Sequence, residues 1–67
     1  MSDYVERMKT ERNKLKDKID KLHSFIYSER FSVVDKDSQI LLIEQSAHMR
    51  AYLEVLDKRL WIAHGNN

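Results

Sequence analysis

Val5, Met8, Arg12, Leu15, Ile19, Leu22 and Ile26 follow one another at alternating steps of three and four residues. That spacing returns to one side of an α-helix, because each residue turns the chain by about 100°. β-branched residues hold most of the a positions and Leu or Met the d positions, the preference of two-stranded helical packing. Arg12 is the one charged member. Its stem could pack while its head reaches water, or it could join a register-setting ion pair. Tyr4 and Phe25 flank the seam. In the second half, Leu42, Met49, Leu53, Leu56 and Leu60 fall on one narrow helical stripe with Tyr52 at its edge. Beside that stripe runs a second seam of Gln45, His48, Tyr52, Val55, Arg59 and Ile62. One neighbouring helix can cover the first stripe but leaves the second without a partner.

The pattern predicts an all-α fold: an antiparallel two-helix hairpin, coiled-coil-like, assembling into an oligomeric helical bundle. Residues 1–67 form a single helical-hairpin domain in this reading, with a helix over about 3–30, a loop over about 31–35 and a helix over about 36–63. Asp3 and Glu6 supply a D-x-x-E start signal at the positive end of the first helix. The heptad fails at Glu29-Arg30-Phe31-Ser32, and Asp35 is the expected N-cap of the second helix, with Ser32 as its competitor. Phe31, Val33 and Val34 are expected to fold over the open end of the bundle as a hydrophobic lid. The chain's only glycine, Gly65, is expected at the C′ position that closes the second helix.

Composition adds a reason for assembly. A chain of 67 residues, 42% hydrophobic and 34% charged, is ordinary for a folded domain but small for an independent core. It has no cysteine to form a disulfide or a thiolate metal site. Association of the second seams is then the expected route to stability, with Leu41, Gln45, Tyr52, Val55 and Ile62 as candidate interface residues. The N-terminus shows no signal-peptide pattern, and no apolar run approaches the roughly 20 residues of a membrane span. A soluble, intracellular protein without membrane contact is expected.

The formal net charge is +1, so no whole-chain field draws nucleic acid or acidic lipid. Arg7, Lys14, Lys18 and Lys21 do form a stripe on the first helix, but Glu11 and Asp17 lie beside it at spacings that pair with Lys14. The stripe therefore reads as a solvated, self-neutralising face in preference to a nucleic-acid track. His23, His48 and His64 lack metal-ligand spacing, which argues against zinc. Glu44 and His48 form only an i, i+4 pair. No serine sits on a nucleophile elbow, and a single glycine leaves no phosphate-cradling loop. No catalytic residue, metal or cofactor is assigned, and the chain reads as a non-enzyme.

The second seam carries the candidate binding chemistry. Tyr52 and His48 could stack on a nucleobase, Gln45 could read a base edge, and Arg59 could fork onto a phosphate. The reading preferred from residue type alone makes Gln45, Tyr52 and Arg59 polar members of an oligomer core, and a pocket between subunits would be built from the same residues. Trp61 lies off both seams and suits a contact with another chain or with the loop.

The stretches ERMKTERNKLKDKIDKLHSFI and LLIEQSAHMRAYLEVLDKRLWI resemble a family of short proteins of tailed bacteriophages, related to a small crAss-like phage protein. The matching positions are Glu6, Arg7, Met8, Leu15, Leu22 and Ile26, then Leu41, Leu42, Gln45, Met49, Tyr52, Leu53, Leu56, Arg59 and Leu60. His48 and Trp61 lie outside the shared pattern. The resemblance implies a phage accessory protein acting in the cytoplasm of the infected bacterium. Small phage proteins of this general kind include sponges for the nucleotide messengers of bacterial immunity and direct inhibitors of host proteins. The resulting expectation is a homo-oligomer (a dimer or higher) that sequesters a cyclic-nucleotide or ADP-ribose-type signal at a subunit interface. Gln45, His48, Tyr52, Arg59, Lys14 and Lys18 would then be the ligand-binding residues. The alternative is an interaction module that inhibits or scaffolds a host protein through an exposed helix face.

Overall fold

The computed structural model describes residues 2–64 of the chain. α1 spans Ser2–Ile26 and α2 spans Lys36–Ala63, with a five-residue 3-10 helix at Glu29–Val33 between them. No strand occurs among the described residues. Cross-helix hydrogen bonds establish that the helices run antiparallel. Arg12 Nε donates to Asp57 Oδ1 at 2.7 Å, Arg59 Nη2 donates to Tyr4 Oη at 3.2 Å, and the Tyr52 hydroxyl donates to the Glu11 carboxylate. The result is a rod of 47 × 16 × 14 Å.

The two apolar stripes meet along this rod. Met8, Ile19 and Leu56 are buried, while Val5, Leu15, Leu22 and Ile26 face Leu42, Met49, Leu53 and Leu60 as half-buried neighbours. Ser46 is buried among them, a small side chain where bulk would hold the helices apart. Arg12 keeps its place in the seam with a half-buried side chain and reaches Asp57 on the other helix. That hydrogen bond raises the Arg12 pKa above its ordinary value. Asp57 remains open to water, so the pair fixes register more than it adds stability.

α1 ends at Ile26, four residues before the expected boundary near 30. Ser28 ends it. Its hydroxyl donates to the Phe25 carbonyl at 2.7 Å and its amide donates to the same oxygen at 3.0 Å, while its backbone turns extended. A serine that offers the backbone a local alternative partner competes with the helix without any glycine or proline. The expected loop is also partly ordered as the 3-10 helix, whose carbonyls are tied down by Gln39. Its Nε2 donates to the Phe31 and Val34 carbonyls at 2.8 and 3.0 Å. Phe31 packs edge-on against Phe25 at 5.9 Å, and Val34 is half-buried. Val33 does not join the lid: it is 85% exposed, because the tight 3-10 turn points it away from the bundle. The position expected for Gly65 lies outside the described residues.

Asp35 caps α2, its side chain accepting from the Ser38 amide at 3.0 Å. That backbone hydrogen bond lowers the Asp35 pKa. A carboxylate with a lowered folded-state pKa contributes fully above its unfolded pKa of about 3.9, and the contribution is lost as pH falls through the lowered value. Asp35→Ala is therefore expected to lower the melting temperature by several degrees at pH 7. The gap to the parent should close as the pH of the melts is taken down below the ordinary carboxylate range; a gap independent of pH would show that the carboxylate charge contributes nothing.

Candidate functional site

The basic stripe of α1 and the aromatic edge of α2 share a groove of about 420 Å³ lined by Arg7, Thr10, Glu11, Lys14, Leu15, Lys18 and Tyr52. The positions on α1 recur every three or four residues and so occupy one face, just beside the a/d seam. α2 contributes Tyr52 alone, whose hydroxyl donates across the hairpin to Glu11. The tyrosine ring is thereby held at the wall of the groove with 44% of its surface exposed.

The expected pairing of Lys14 with Glu11 and Asp17 does not form. Asp17 accepts from Lys21 at 3.3 Å, and Asp20 pairs with Lys16 at 2.9 Å. Glu11 instead receives the Tyr52 hydroxyl. Among the described residues, Arg7, Lys14 and Lys18 make no ion pair within 4 Å. Three cations on about three turns of helix, with one carboxylate between them, form an anion-attracting surface in which cationic donors can make charge-assisted hydrogen bonds.

A second groove of about 520 Å³ opens on the other side of the same tyrosine, lined by Leu41, Glu44, Gln45, His48, Met49 and Tyr52. All six belong to α2, so this is a helix face rather than a cleft between helices. His48 Nε2 lies 3.5 Å from Glu44 Oε2, and Gln45 Nε2 points at Met49 Sδ at 3.8 Å. Tyr52 thus joins two surfaces: Lys14 and Lys18 on one side, Gln45 and His48 on the other. Arg59 lines neither groove. It lies two turns beyond Tyr52, about 10 Å along the axis, and holds the Tyr4 hydroxyl. A ligand spanning from Lys18 to Arg59 would have to be extended along the rod.

The candidate interface residues remain uncovered in the single chain. Leu41, Val55 and Ile62 are 62%, 50% and 70% exposed, and Gln45 is exposed beside them. Trp61 is 55% exposed on the opposite flank of α2. The sequence places Arg7 in the basic stripe and Glu11 beside it, yet neither enters the candidate set. Both lie on the same α1 face as Lys14 and Lys18, so the stripe was the available signal. What periodicity could not supply was the register that brings Tyr52 opposite Glu11.

Among the described residues, no helix is long and apolar enough to cross a membrane. The Sequestin family model matches residues 2–62. The chain is also similar to the uncharacterized 7.5 kDa protein of the denB-rIIB intergenic region of Enterobacteria phage T4. The two are 39% identical over 57 residues, spanning 85% of this chain and 89% of that protein. No solved structure matches.

Proposed function

The chain belongs to the Sequestin family, and from that premise we propose that it binds and withholds a nucleotide-derived immune signal of the infected bacterium, without catalysis. The groove of Arg7, Lys14 and Lys18 around Tyr52 is the observation that carries this reading. A nucleotide is a planar apolar base joined to phosphates, and the groove offers an aromatic face beside a row of cationic donors. Tyr52 and His48 would stack on the base, Gln45 would meet its edge, and Lys14 and Lys18 would hold the phosphates. The open side of Tyr52 would be closed by a second subunit seated on Leu41, Gln45, Val55 and Ile62, which supports a site shared between copies. The relative in a phage supports action in the host cytoplasm as a counter-defence protein. Kinship with crAss-like phage proteins rests on the residue pattern alone.

Withholding is stoichiometric, so the dissociation constant must lie below the working concentration of the signal. Calorimetry against a panel of cyclic dinucleotides and cyclic ADP-ribose isomers tests the proposal. The expected result is saturable heat with one class and recovery of the intact nucleotide after the protein is denatured. Absence of heat with every member overturns it, and a cleaved product overturns the non-catalytic part. Loss of a host-protein interaction on changing Trp61, with no nucleotide bound, would instead favour a direct inhibitor.

A further inference from the structure

The exposed flank of α2 has a symmetry in its sequence. Leu41 and Ile62, Glu44 and Arg59, and His48 and Val55 are three pairs placed evenly about a midpoint between Ala51 and Tyr52. All these side chains are exposed along the flank of α2 beside the hairpin core, and Arg59 also holds the Tyr4 hydroxyl of α1. We infer that the occupant of this face is a second copy of the chain, with the two α2 helices crossing antiparallel about a two-fold axis near Ala51 and Tyr52. This deepens the reading above, because it rests on the proposed subunit interface and specifies its geometry.

Charge complementarity decides the direction. In the antiparallel arrangement Glu44 of each copy faces Arg59 of the other, so one contact is made twice, as an isologous interface requires. Leu41 meets Ile62 at both ends, closing the interface with apolar pairs. The short Ala51 side chain leaves room at the centre for the Tyr52 ring of the second copy. A parallel pairing would set Arg59 against Arg59 and Glu44 against Glu44, and like charges directly opposed are unfavourable. It would also align the two helix dipoles. In the antiparallel dimer both Tyr52 rings gather at the axis, each still bordering its own Lys14 and Lys18 groove. Two nucleotide-sized sites then lie side by side across one seam.

Cysteine is absent from the chain, so single labels can be placed cleanly. Spin labels on Lys36→Cys and, separately, Ala47→Cys sit on exposed positions off the proposed interface. With no nucleotide present, pulsed dipolar spectroscopy should give about 45 Å between Lys36 labels and under about 25 Å between Ala47 labels, from 1.5 Å per residue along antiparallel axes. A Lys36 distance under about 25 Å means parallel pairing and overturns the inference, as does a monomeric mass by light scattering at tens of micromolar. Charge reversal supplies a second readout. Glu44→Arg and Arg59→Glu should each raise the dimer dissociation constant at least tenfold, and the double reversal should restore it. Failure of restoration overturns the Glu44–Arg59 contact. Because these readouts need no ligand, a dimer that binds no nucleotide sinks the proposed function and leaves the geometry standing.

Discussion

Replacing Lys14 and Lys18 together with alanine is expected to weaken nucleotide binding more than a hundredfold while leaving the helix signal and the mass in solution unchanged. Each lost charge-assisted hydrogen bond is worth about 1.5–3 kcal/mol, and every ~1.4 kcal/mol is a factor of ten in affinity. Both lysines are exposed and make no ion pair among the described residues, so their removal takes nothing from the fold. Glu11→Gln should act in the opposite direction. It removes the one carboxylate that lines the groove and keeps an acceptor for the Tyr52 hydroxyl, so an anion should bind more tightly and the advantage should shrink as salt is added. Calorimetry on the three proteins at two salt concentrations checks both signs. Unchanged affinity in the double lysine variant would place the ligand elsewhere.

The second large effect concerns Leu56, which has no exposed surface and is the largest fully buried side chain among the described residues. Leu56→Ala creates a cavity beside the Arg12–Asp57 contact, where α2 packs against the α1 seam, at a cost of about 2–5 kcal/mol for a buried leucine. Total stability for a chain of this length is roughly 3–10 kcal/mol at 0.05–0.15 kcal/mol per residue. The variant should therefore be largely unfolded or melt far below the parent when followed by circular dichroism. Val55→Ala is the matched control: it removes a half-exposed side chain from the outer face of the same helix, so it should leave the isolated hairpin intact and weaken assembly instead. Equal melting of the two variants would mean that the hairpin core and the outer seam have been wrongly distinguished.

Alternating steps of three and four made the two inner stripes legible, because that spacing reports a helix face regardless of what covers it. Met8, Ile19 and Leu56 end buried at the centre of those stripes. The N-cap at Asp35 was also readable, since a short acceptor before an amphipathic run has few other uses. The end of α1 was not. Tyr27-Ser28 contains no residue that forbids a helix, and the decision falls to one hydroxyl bonding the Phe25 carbonyl. Gln39 was likewise invisible as the residue that ties down the loop, because its partners are carbonyls five and eight residues earlier in a turn whose shape is not written in side-chain period. The candidate site suffered most from the missing register. Lys14, Lys18 and Tyr52 were each singled out, yet only the pairing of Tyr52 with Glu11 shows that they share one groove and that Arg59 stands apart.

One ring forms a wall of both grooves, and that fact has a thermodynamic outcome. Where what settles against one side of Tyr52 alters the free energy of what settles against the other, linkage makes the influence mutual. If cargo on the lysine side favours docking on the Gln45 side, docking must favour cargo by the same factor. Capacity would then climb faster than copy number, so that a sparse population of chains holds little and a crowded one fills abruptly. The outcome would be a threshold rather than a gradual drain.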